Sequence, residues 1–423
     1  MTLHTGHVGP GVDQRASDPA DAAALLRTTS AVRSRSTQLL ERARLGESRW
    51  FTVRDEVLPA AADEVAAVTR ARYPDLKIPY HSRWRHFEAG GVDRRAELDT
   101  LLAGAHPQEG ARAMIDLTVV SVLLDAGAGA GWSFVERRDG TSVRFSRSEG
   151  LAVASWHGFV SGAFSSDPER PLQVDAAALC ALTEDRLAGV LQATADNPLV
   201  GLAGRVQLLR RLGEVLAAQP DVFGAQGRPG ALFDTLTTPS GSVAAHDLLA
   251  QLLISLAPIW PSGNTIGSYQ LGDCWRHDAV SGPGLTAGWL PLHKLSQWLT
   301  YSLIEPFMWA GVTVTGLDAL TGLPEYRNGG LLLDAGVLSL RDPGHAAHTW
   351  GPGDELVVEW RALTVALLDE LAPLVRARLG VDADQMPLAC VLEGGTWAAG
   401  RASAQRLRGG MPPLSIASDG TVF

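Results

Sequence analysis

The chain has 423 residues, of which 46% are hydrophobic and 19% are charged, a composition typical of a globular protein with a large buried core. Its formal net charge is −10, and its basic residues are scattered along the sequence. Proteins that bind nucleic acid need a basic face to neutralise phosphates. The charge therefore excludes nucleic acid as an expected partner.

The three cysteines, Cys180, Cys274 and Cys390, are odd in number and far apart, so no disulfide framework is predicted. The N-terminus lacks the basic and apolar segments of a secretory signal. No stretch reaches the ~20 apolar residues that a membrane-spanning helix needs. These features predict a cytoplasmic protein that acts on a small molecule and not at a membrane. Most of the 12 tryptophans are expected in the core.

Helices dominate the predicted elements of the N-terminal half. Residues 1–20 are rich in Gly, Asp and Pro without periodicity, which predicts a disordered tail. Helices at 21–44 and 56–73 precede a polar loop at 78–92, and a buried helix at 111–125 ends where Gly and Ala alternate. Further helices are predicted at 147–163, 175–194, 203–218 and 243–256.

The C-terminal half begins with a loop at 260–288, rich in Gly, and continues with helices at 290–309 and 354–378. In the second helix, apolar residues recur every three or four positions and share one face: Leu356, Trp360, Leu363, Leu367, Leu371 and Leu374. Short strands are predicted at 50–53, 331–333 and 414–416. We expect a mainly α protein with a single compact helical domain, in which residues 21–110 form an N-terminal layer and residues 111–423 form the core.

The polar loop is the first candidate site. Arg83, Arg85 and His86 stand shortly before Gly90 and Gly91, and guanidinium groups match phosphate or carboxylate oxygens in shape and charge. The alternative is a surface loop with internal ion pairs. The sequence does not decide between the two interpretations.

The predicted helix at 290–309 is the second candidate. Lys294, Gln297, Tyr301 and Glu305 form one stripe, opposite a face of leucines, and Trp298 and Trp309 lie close to the stripe. A polar stripe beside tryptophans is typical of a pocket wall. A solvated helix face has the same periodicity, so that alternative also stays open.

Three shorter segments carry carboxylates or metal ligands. Glu325 follows Pro324 and precedes paired glycines, which predicts a fixed turn. Asp273 lies beside Trp275 and a Cys-x-x-His spacing, but two ligands are too few for a zinc site, so no metal is predicted. Glu393 precedes two glycines and either binds sugar hydroxyls or ends a turn.

The common catalytic signatures are absent from the sequence. It has no Gly-x-Ser-x-Gly elbow, no phosphate-binding Walker loop, no His-Glu-x-x-His and no dinucleotide fingerprint between a strand and a helix. Carboxylates, a lysine, arginines and indoles remain. That set favours acid–base and electrostatic chemistry without a cofactor, on a sugar-like or cationic centre.

Six segments of the sequence stand out as motifs: IPYHSRWRHFEAGG (78–91), LLDAGAG (123–129), FSRSEGL (145–151), HKLSQWL (293–299), GLPEYRNGG (322–330) and SDGTVF (418–423). They resemble the uracil-catabolism proteins of the Urc/Urg ring-opening pathway of bacteria and fungi, a family catalogued as a domain of unknown function. The resemblance covers about residues 30–423. In this pathway a ribosylurea-type intermediate must release urea.

The chain also has a fainter similarity to the queuosine-phosphate N-glycosidases, which are related to helical DNA glycosylases. This similarity implies a DNA-glycosylase-like helical core. The chain departs from the pattern of those enzymes where a glutamate replaces an aspartate and Asn-Gly-Gly replaces Val-Pro. The matching residues are Lys294 and Gln297, then Glu325, Tyr326 and Arg327, then Glu359, Arg361 and Ala362, with Asp125 and Trp132 in the aspartate and aromatic segment.

The two resemblances together imply an N-glycosidase that cleaves the N–C1′ bond of ribosylurea, with a 5′-phosphate, to urea and ribose phosphate. Glu325 would stabilise the oxocarbenium-like transition state or activate water, and Lys294, with Asp273 in reserve, would assist the leaving urea. Glu325→Gln is then expected to remove most of kcat without changing the melting temperature. The remaining substrate-binding candidates are Arg83, Arg85, His86, Asp125, Trp132, Trp275, Gln297, Trp298, Tyr326, Arg327 and Glu393.

Two other hypotheses remain open. The chain could be a non-catalytic partner that binds the pathway's ring-opening enzyme or shields its product, in which case ligand would bind without being consumed. It could also be an amidohydrolase acting on an open-chain ureide. The small number of metal ligands counts against the usual metal-dependent form of that enzyme.

Overall fold

The computed structural model describes residues 16–417. Helices form most of the elements in this part of the chain. They are α1 Pro19–Leu26, α2 Thr29–Arg44, α3 Leu58–Arg72, α4 Arg83–Phe87, α5 Arg94–Leu101, α6 Pro107–Leu123, α7 Arg147–Val160, α8 Ala176–Cys180, α9 Glu184–Leu191, α10 Leu202–Ala217, α11 Pro220–Phe223, α12 Leu232–Leu236, α13 Ala245–Ser255, α14 Lys294–Trp309, α15 Tyr326–Asp334, α16 Glu355–Leu379, α17 Leu388–Val391 and α18 Trp397–Arg408.

Short 3-10 helices connect several of these elements, and one π-helical turn, Leu392–Thr396, joins α17 to α18. The 3-10 helices are Asp55–Val57, Ala89–Gly91, Pro229–Ala231, Ala257–Ile259, Gly284–Thr286, Leu317–Ala319 and Pro343–Ala347.

The strands are short and form two-stranded pairs. β1 with β10, β2 with β3, β5 with β6 and β7 with β8 are antiparallel, whereas β4 with β9 and β11 with β12 are parallel. Their bounds are β1 Phe51–Val53, β2 Phe134–Arg138, β3 Thr141–Phe145, β4 Ser242–Ala244, β5 Thr265–Ile266, β6 Tyr269–Gln270, β7 Cys274–Arg276, β8 Trp289–Pro291, β9 Thr313–Thr315, β10 Leu338–Leu340, β11 Thr349–Trp350 and β12 Ser415–Ile416.

One hydrophobic core runs through the molecule, from Leu40 of α2 to Leu414 before β12. Helix α16 packs against α2, α3 and α15, and α14 packs against α6 and α13. The mainly helical, single-domain prediction is confirmed. Within residues 16–417, no helix combines the length and the apolarity needed to cross a membrane. The DNA-glycosylase-like core and the division into a layer and a core stay predictions.

Helix α16 shows why periodicity predicts a buried helix well. Its predicted apolar face is buried from Leu356 to Leu371, and Leu374 at the far end is partly buried. Gly380 ends the helix with φ 73°, a left-handed conformation that costs glycine little. The helix therefore begins and ends within a residue or two of its predicted bounds.

Two predicted helices are each split by a capping threonine. In the segment predicted as 21–44, the Thr28 side chain accepts from Ala31 N at 3.1 Å and starts α2. In the segment predicted as 175–194, Thr183 accepts from Arg186 N at 3.2 Å and starts α9. A threonine at an N-cap satisfies a backbone donor that would otherwise lack a partner, so it favours a new helix at that point.

Three other predictions need correction. The loop at 78–92 contains α4 and a 3-10 helix, and the strand at 331–333 lies inside α15. Residues 1–15 of the predicted disordered tail lie outside the described residues, but α1 already begins at Pro19. The segment at 418–423, which carries part of the family resemblance, also lies outside the described residues.

Candidate active site

Helix α14 is buried along almost its whole length, from Leu295 to Phe307. The solvated-face alternative for its polar stripe is therefore wrong. Gln297 and Tyr301 have no exposed surface, and Glu305 has 8%. Only Lys294, in the first turn, stays partly exposed among these four.

Asp273 holds the amino end of α14 in place. Its Oδ2 accepts from Lys294 N at 2.8 Å. Its backbone carbonyl accepts from the N–H groups of the two residues before Lys294, Leu292 and His293. Arg361 of α16 binds both carboxylate oxygens, at 2.8 and 2.7 Å, and Trp275 Nε1 donates to Oδ1 at 2.7 Å. Burial alone would raise the pKa of Asp273, but Arg361 and the other donors lower it to about 2. A carboxylate held in this way is a poor proton donor.

Glu325 caps the amino end of α15. Its two carboxylate oxygens accept from Arg327 N at 2.7 Å and Asn328 N at 2.6 Å. Burial raises the pKa of Glu325 above its ordinary value, while these backbone donors and the charge of Lys294 act in the opposite direction. The predicted fixed turn is a helix cap, and the carboxylate has one orientation.

Lys294 and Glu325 lie close enough for their charges to interact. Burial lowers the pKa of Lys294, and the negative charges of Glu325 and Asp125 oppose that shift. No described residue bonds to Nζ of Lys294, while its backbone N–H is held by Asp273. The site therefore places one lysine between two carboxylates that come from different elements.

Asp125, just after α6, is fixed by Arg83 of α4. The Arg83 guanidinium lies 3.1 Å from the Asp125 carboxylate, donates to Ser121 Oγ at 2.7 Å and donates to the Ser148 carbonyl at 3.1 Å. Burial alone would raise the pKa of Asp125, but the charges of Arg83, His86 and Lys294 lower it. Arg83 is fully buried, and its Nη2 has no hydrogen-bond partner.

Trp298 lies next to this group on α14. The Arg83 guanidinium sits 5.7 Å from the Trp298 ring centroid, and the His86 ring meets the indole edge at 5.9 Å. Burial and the charge of Arg83 lower the pKa of His86 to about 4. His86 is thus neutral near pH 7, so it can donate or accept a hydrogen bond in the site without adding a charge.

Arg85 is already neutralised by two carboxylates, Glu305 at 2.9 Å and Glu88 at 2.9 Å. Ser82 Oγ donates to the same Glu305 at 2.5 Å. Arg85, Glu88 and Glu305 line a cleft of about 510 Å³ between α4 and the end of α14. Arg85 therefore behaves as the ion-paired alternative describes, whereas Arg83 and His86 lie with Asp125 and Trp298.

Glu393 lies in the π-helical turn and bonds to protein groups on both oxygens. Oε1 accepts from Arg72 Nη2 at 2.9 Å and Tyr73 Oη at 3.2 Å, and Oε2 lies 2.9 Å from His81 Nδ1. Burial alone would raise its pKa, but His81 and Arg72 lower it to about 2. Glu393 therefore lies within a helical turn and not at the end of one, and each of its oxygens already has a protein partner.

Three of the predicted binding residues have partners within the protein. Trp132 is 1% exposed and donates to the Leu191 carbonyl at 2.9 Å, so it belongs to the core. Gln297 Oε1 accepts from both the N–H and the hydroxyl of Thr321, which ties α14 to the segment before Glu325. Arg327 donates to the Gly410 carbonyl at 3.2 Å.

Tyr326 and Trp275 lie at the edge of the site. Tyr326 is 36% exposed and stacks with Arg327, whose Cζ is 4.8 Å from the ring centroid. Burial and the charges of Glu325 and Asp125 raise the pKa of Tyr326. Trp275 binds Asp273 and packs against Gly353, where an added Cβ would lie 2.6 Å from the indole.

The Cys-x-x-His segment does not bring its two side chains to one site. Cys274 is buried in a small cluster with α1, and His277 Nε2 bonds Glu359 at 2.9 Å. Burial raises the pKa of the Cys274 thiol, which disfavours the thiolate that binds metals.

The sequence did not predict the contacts of two residues near the candidate site, His81 and Arg361. His81 stands in the densest polar segment, but nothing in the sequence shows that its partner is Glu393, more than 300 positions away. Arg361 is visible only through the queuosine-type similarity, and its pairing with Asp273 depends on how α16 crosses β7. For Glu305, the four-residue spacing from Tyr301 did indicate a position on the polar stripe of α14.

The fold and the site define a class: a mainly helical protein whose buried polar site holds a lysine, two carboxylates and a guanidinium. Comparison with known sequences then gives the family. The family described as "Protein of unknown function (DUF1688)" matches residues 25–423, and the chain belongs to it.

Two named relatives are similar along most of their length. The chain is 40% identical to protein urg3 of Schizosaccharomyces pombe over 404 residues, which covers 93% of this chain and 96% of that protein. It is also 40% identical to uracil catabolism protein 4 of Lachancea kluyveri over 378 residues, covering 82% and 85% of the two chains. The family resemblance inferred from the motifs is confirmed.

Proposed function

We propose that this protein is an N-glycosidase of uracil catabolism that hydrolyses the N–C1′ bond of ribosylurea, in its 5′-phosphate form, to urea and ribose 5-phosphate. The name of the Lachancea kluyveri relative supports the pathway. The observation that carries the reaction type is the nearness of Lys294, at the start of α14, to the buried Glu325 carboxylate, which is fixed at the start of α15. A fixed anion and a nearby proton donor are what cleavage of this bond needs.

Glu325 stabilises the positive charge that develops on the sugar. As the N–C1′ bond breaks, C1′ becomes oxocarbenium-like, and a preoriented carboxylate in a water-poor site stabilises it strongly. Because α15 fixes both oxygens, the carboxylate does not need to reorganise during the reaction.

Lys294 donates a proton to the leaving urea. Urea is a poor leaving group as an anion, so the nitrogen that departs from C1′ must be protonated as the bond breaks. A buried lysine has a lowered pKa and is a better acid than an exposed one. Asp273 supports this role by holding the backbone of Lys294 and not by giving up a proton.

Asp125, Trp298 and His86 are proposed to contact the ribosylurea, with Arg83 fixing Asp125. Since Arg85 is bound by two carboxylates, Arg83 Nη2 and His86 are the two of the three predicted phosphate-binding residues that remain to contact a 5′-phosphate. Comparing ribosylurea with and without the phosphate tests this assignment. If the phosphate is recognised, its removal raises KM in the wild-type protein but not further in Arg83→Lys.

The deciding experiment incubates the purified protein with synthetic ribosylurea 5-phosphate and measures free urea and reducing sugar together. Equal amounts of both products, lost in Glu325→Gln, support the glycosidase. Binding without product formation identifies a non-catalytic partner protein instead. Release of ammonia with the N–C1′ bond intact identifies an amidohydrolase.

A further inference from the structure

The π-helical turn Leu392–Thr396 interrupts an otherwise continuous helix between α17 and α18. Such turns are rare and often occur at functional sites. Gly395 lets the turn lie directly on α3, since an added Cβ would be 2.7 Å from the Val65 carbonyl oxygen. The consequence is that Glu393 projects from the turn toward the segment before α4.

Glu393 there orients the ring of His81. Its pKa of about 2 keeps it ionised at neutral pH, and Oε2 lies 2.9 Å from His81 Nδ1. An ionised carboxylate can only accept, so Nδ1 must carry the hydrogen. In the neutral form of the ring, the other nitrogen, Nε2, then has a free lone pair.

His81 belongs to the site by position. Its ring lies 6.3 Å from that of Trp397 at the start of α18, the helix that packs against α15 behind Glu325. His81 also lies close enough to Glu325 and His86 to interact with them electrostatically. No described residue bonds to Nε2, although the His81 side chain is only 9% exposed.

We infer that His81 is the general base that activates water, with Glu393 as the positioning residue that fixes its tautomer. This inference rests on the proposed N-glycosidase function and assigns the role that Glu325, as a helix cap, leaves open. Water oxygen bonds to C1′ and passes its proton to His81 Nε2. The N–C1′ electron pair leaves with urea nitrogen, which takes a proton from Lys294. Proton transfer from His81 back to Lys294 through solvent completes the cycle.

A second histidine–carboxylate pair provides a matched control. His157 Nε2 lies 2.8 Å from Glu136, which also binds Arg94. Neither His157 nor Glu136 is among the main charges that act on Glu325 or Lys294. Because His157 bonds through Nε2, an asparagine there loses the bond to Glu136, so His157→Asn removes a histidine–carboxylate pair without touching the proposed chemistry.

The test uses His81→Asn in the full-length protein. The asparagine amide nitrogen occupies the place of Nδ1 and keeps the bond to Glu393, while the base at Nε2 is lost. We expect kcat for urea release to fall by about 10²–10⁴-fold, with KM and melting temperature nearly unchanged. His157→Asn should keep kcat. Added imidazole should partly restore His81→Ala.

Nitrogen-15 spectra of the imidazole rings give a readout that does not depend on substrate. Wild-type His81 should show a protonated Nδ1 and an unprotonated Nε2, and Glu393→Gln should mix the two tautomers. A wild-type protein that releases urea while His81→Asn keeps kcat within about threefold overturns this inference alone, as does the opposite tautomer. Failure of the wild-type protein to release urea overturns the proposed function and this inference together.

Discussion

Glu325 combines two roles on the same pair of oxygens. It caps α15 through Arg327 N and Asn328 N, and it presents its charge to Lys294. Sequence reasoning identified this glutamate from the proline before it and the glycines after it, but treated its segment as a turn. Nothing in the sequence distinguishes a carboxylate in a turn from one at a helix cap.

The cap changes what we expect of Glu325→Gln. Glutamine has one acceptor oxygen where glutamate has two, and it brings no charge to the helix terminus. The variant should lose about 10²–10³-fold in kcat and also about 1 kcal/mol of unfolding free energy. The sequence alone led us to expect an unchanged melting temperature for this variant, whereas the helix cap leads us to expect a lower one.

Urea denaturation and urea-release kinetics measure the two effects separately. Asp342→Ala is the control, since Asp342 caps the 3-10 helix Pro343–Ala347 by accepting from Gly344 N at 2.8 Å, and alanine has no side-chain oxygen to keep that bond. It should lose stability but no activity. Full turnover in Glu325→Gln would remove this residue from the mechanism.

Lys294 can be observed directly because the chain contains only two lysines, Lys77 and Lys294. Burial lowers the pKa of Lys294, so it should lose its proton below the ordinary lysine value of about 10.4. As the proton donor, it must be charged, and kcat/KM should therefore fall as pH rises through that lowered pKa.

Carbon-13 labelling of the lysine side chains provides the measurement. Lys77 is 87% exposed, and Lys77→Arg leaves Lys294 as the single lysine signal. The midpoint of that signal should match the alkaline limb of the pH–rate profile. If Lys294 titrates above the ordinary value, the acid role is wrong.

Helices α14 and α15 mark the limit of what periodicity can predict. The sequence predicted the polar stripe of α14. A polar stripe is, however, equally compatible with a solvent-exposed helix face and with the wall of a buried site. For α15, the run of leucines after two glycines suggested a strand at 331–333. The glycines instead permit close packing, since an added Cβ at Gly329 would lie 2.7 Å from the Trp360 ring.

Gly329→Ala should push α15 away from α16 and move Glu325 with it. Overpacking of this kind costs about 1–3 kcal/mol, and we expect kcat to fall together with the melting temperature. Gly189→Ala, in α9 with no atom within 4 Å of its new Cβ, should instead raise stability by up to about 1 kcal/mol. Equal effects of the two substitutions on thermal unfolding would contradict the packing argument.

Across the whole molecule, the fold was more predictable than the site. Apolar periodicity identified the buried helices α6 and α16 to within a few residues. The site depends on pairs far apart in sequence, such as His81 with Glu393 and Asp273 with Arg361. Such pairs form because particular helices pack together, and a local sequence pattern does not predict which helices do so.

The buried Asp273–Arg361 pair should make stability depend on acid pH. The pKa of Asp273 is about 2 in the folded protein, below the ordinary value of about 3.9 in an unfolded chain. Its contribution is therefore present above about pH 4 and is lost as pH falls toward 2. Asp273→Asn should cost about 3–5 kcal/mol at pH 7 and much less at pH 2.5.

Urea unfolding at the two pH values measures this difference. Asp63→Asn removes a surface pair with Arg378, in which the Asp63 side chain is 65% exposed, and should cost less than about 1 kcal/mol at either pH. A penalty for Asp273→Asn that does not shrink in acid would show that the carboxylate charge is not what stabilises the fold.

The same pair also constrains how the gene can diverge. Each partner is tolerated inside the protein only because the other is there, so replacing one alone passes through a poorly folded intermediate. Lineages that abandon the aspartate should have abandoned the arginine too. Across distant homologues the two positions are expected to change in concert, or not at all.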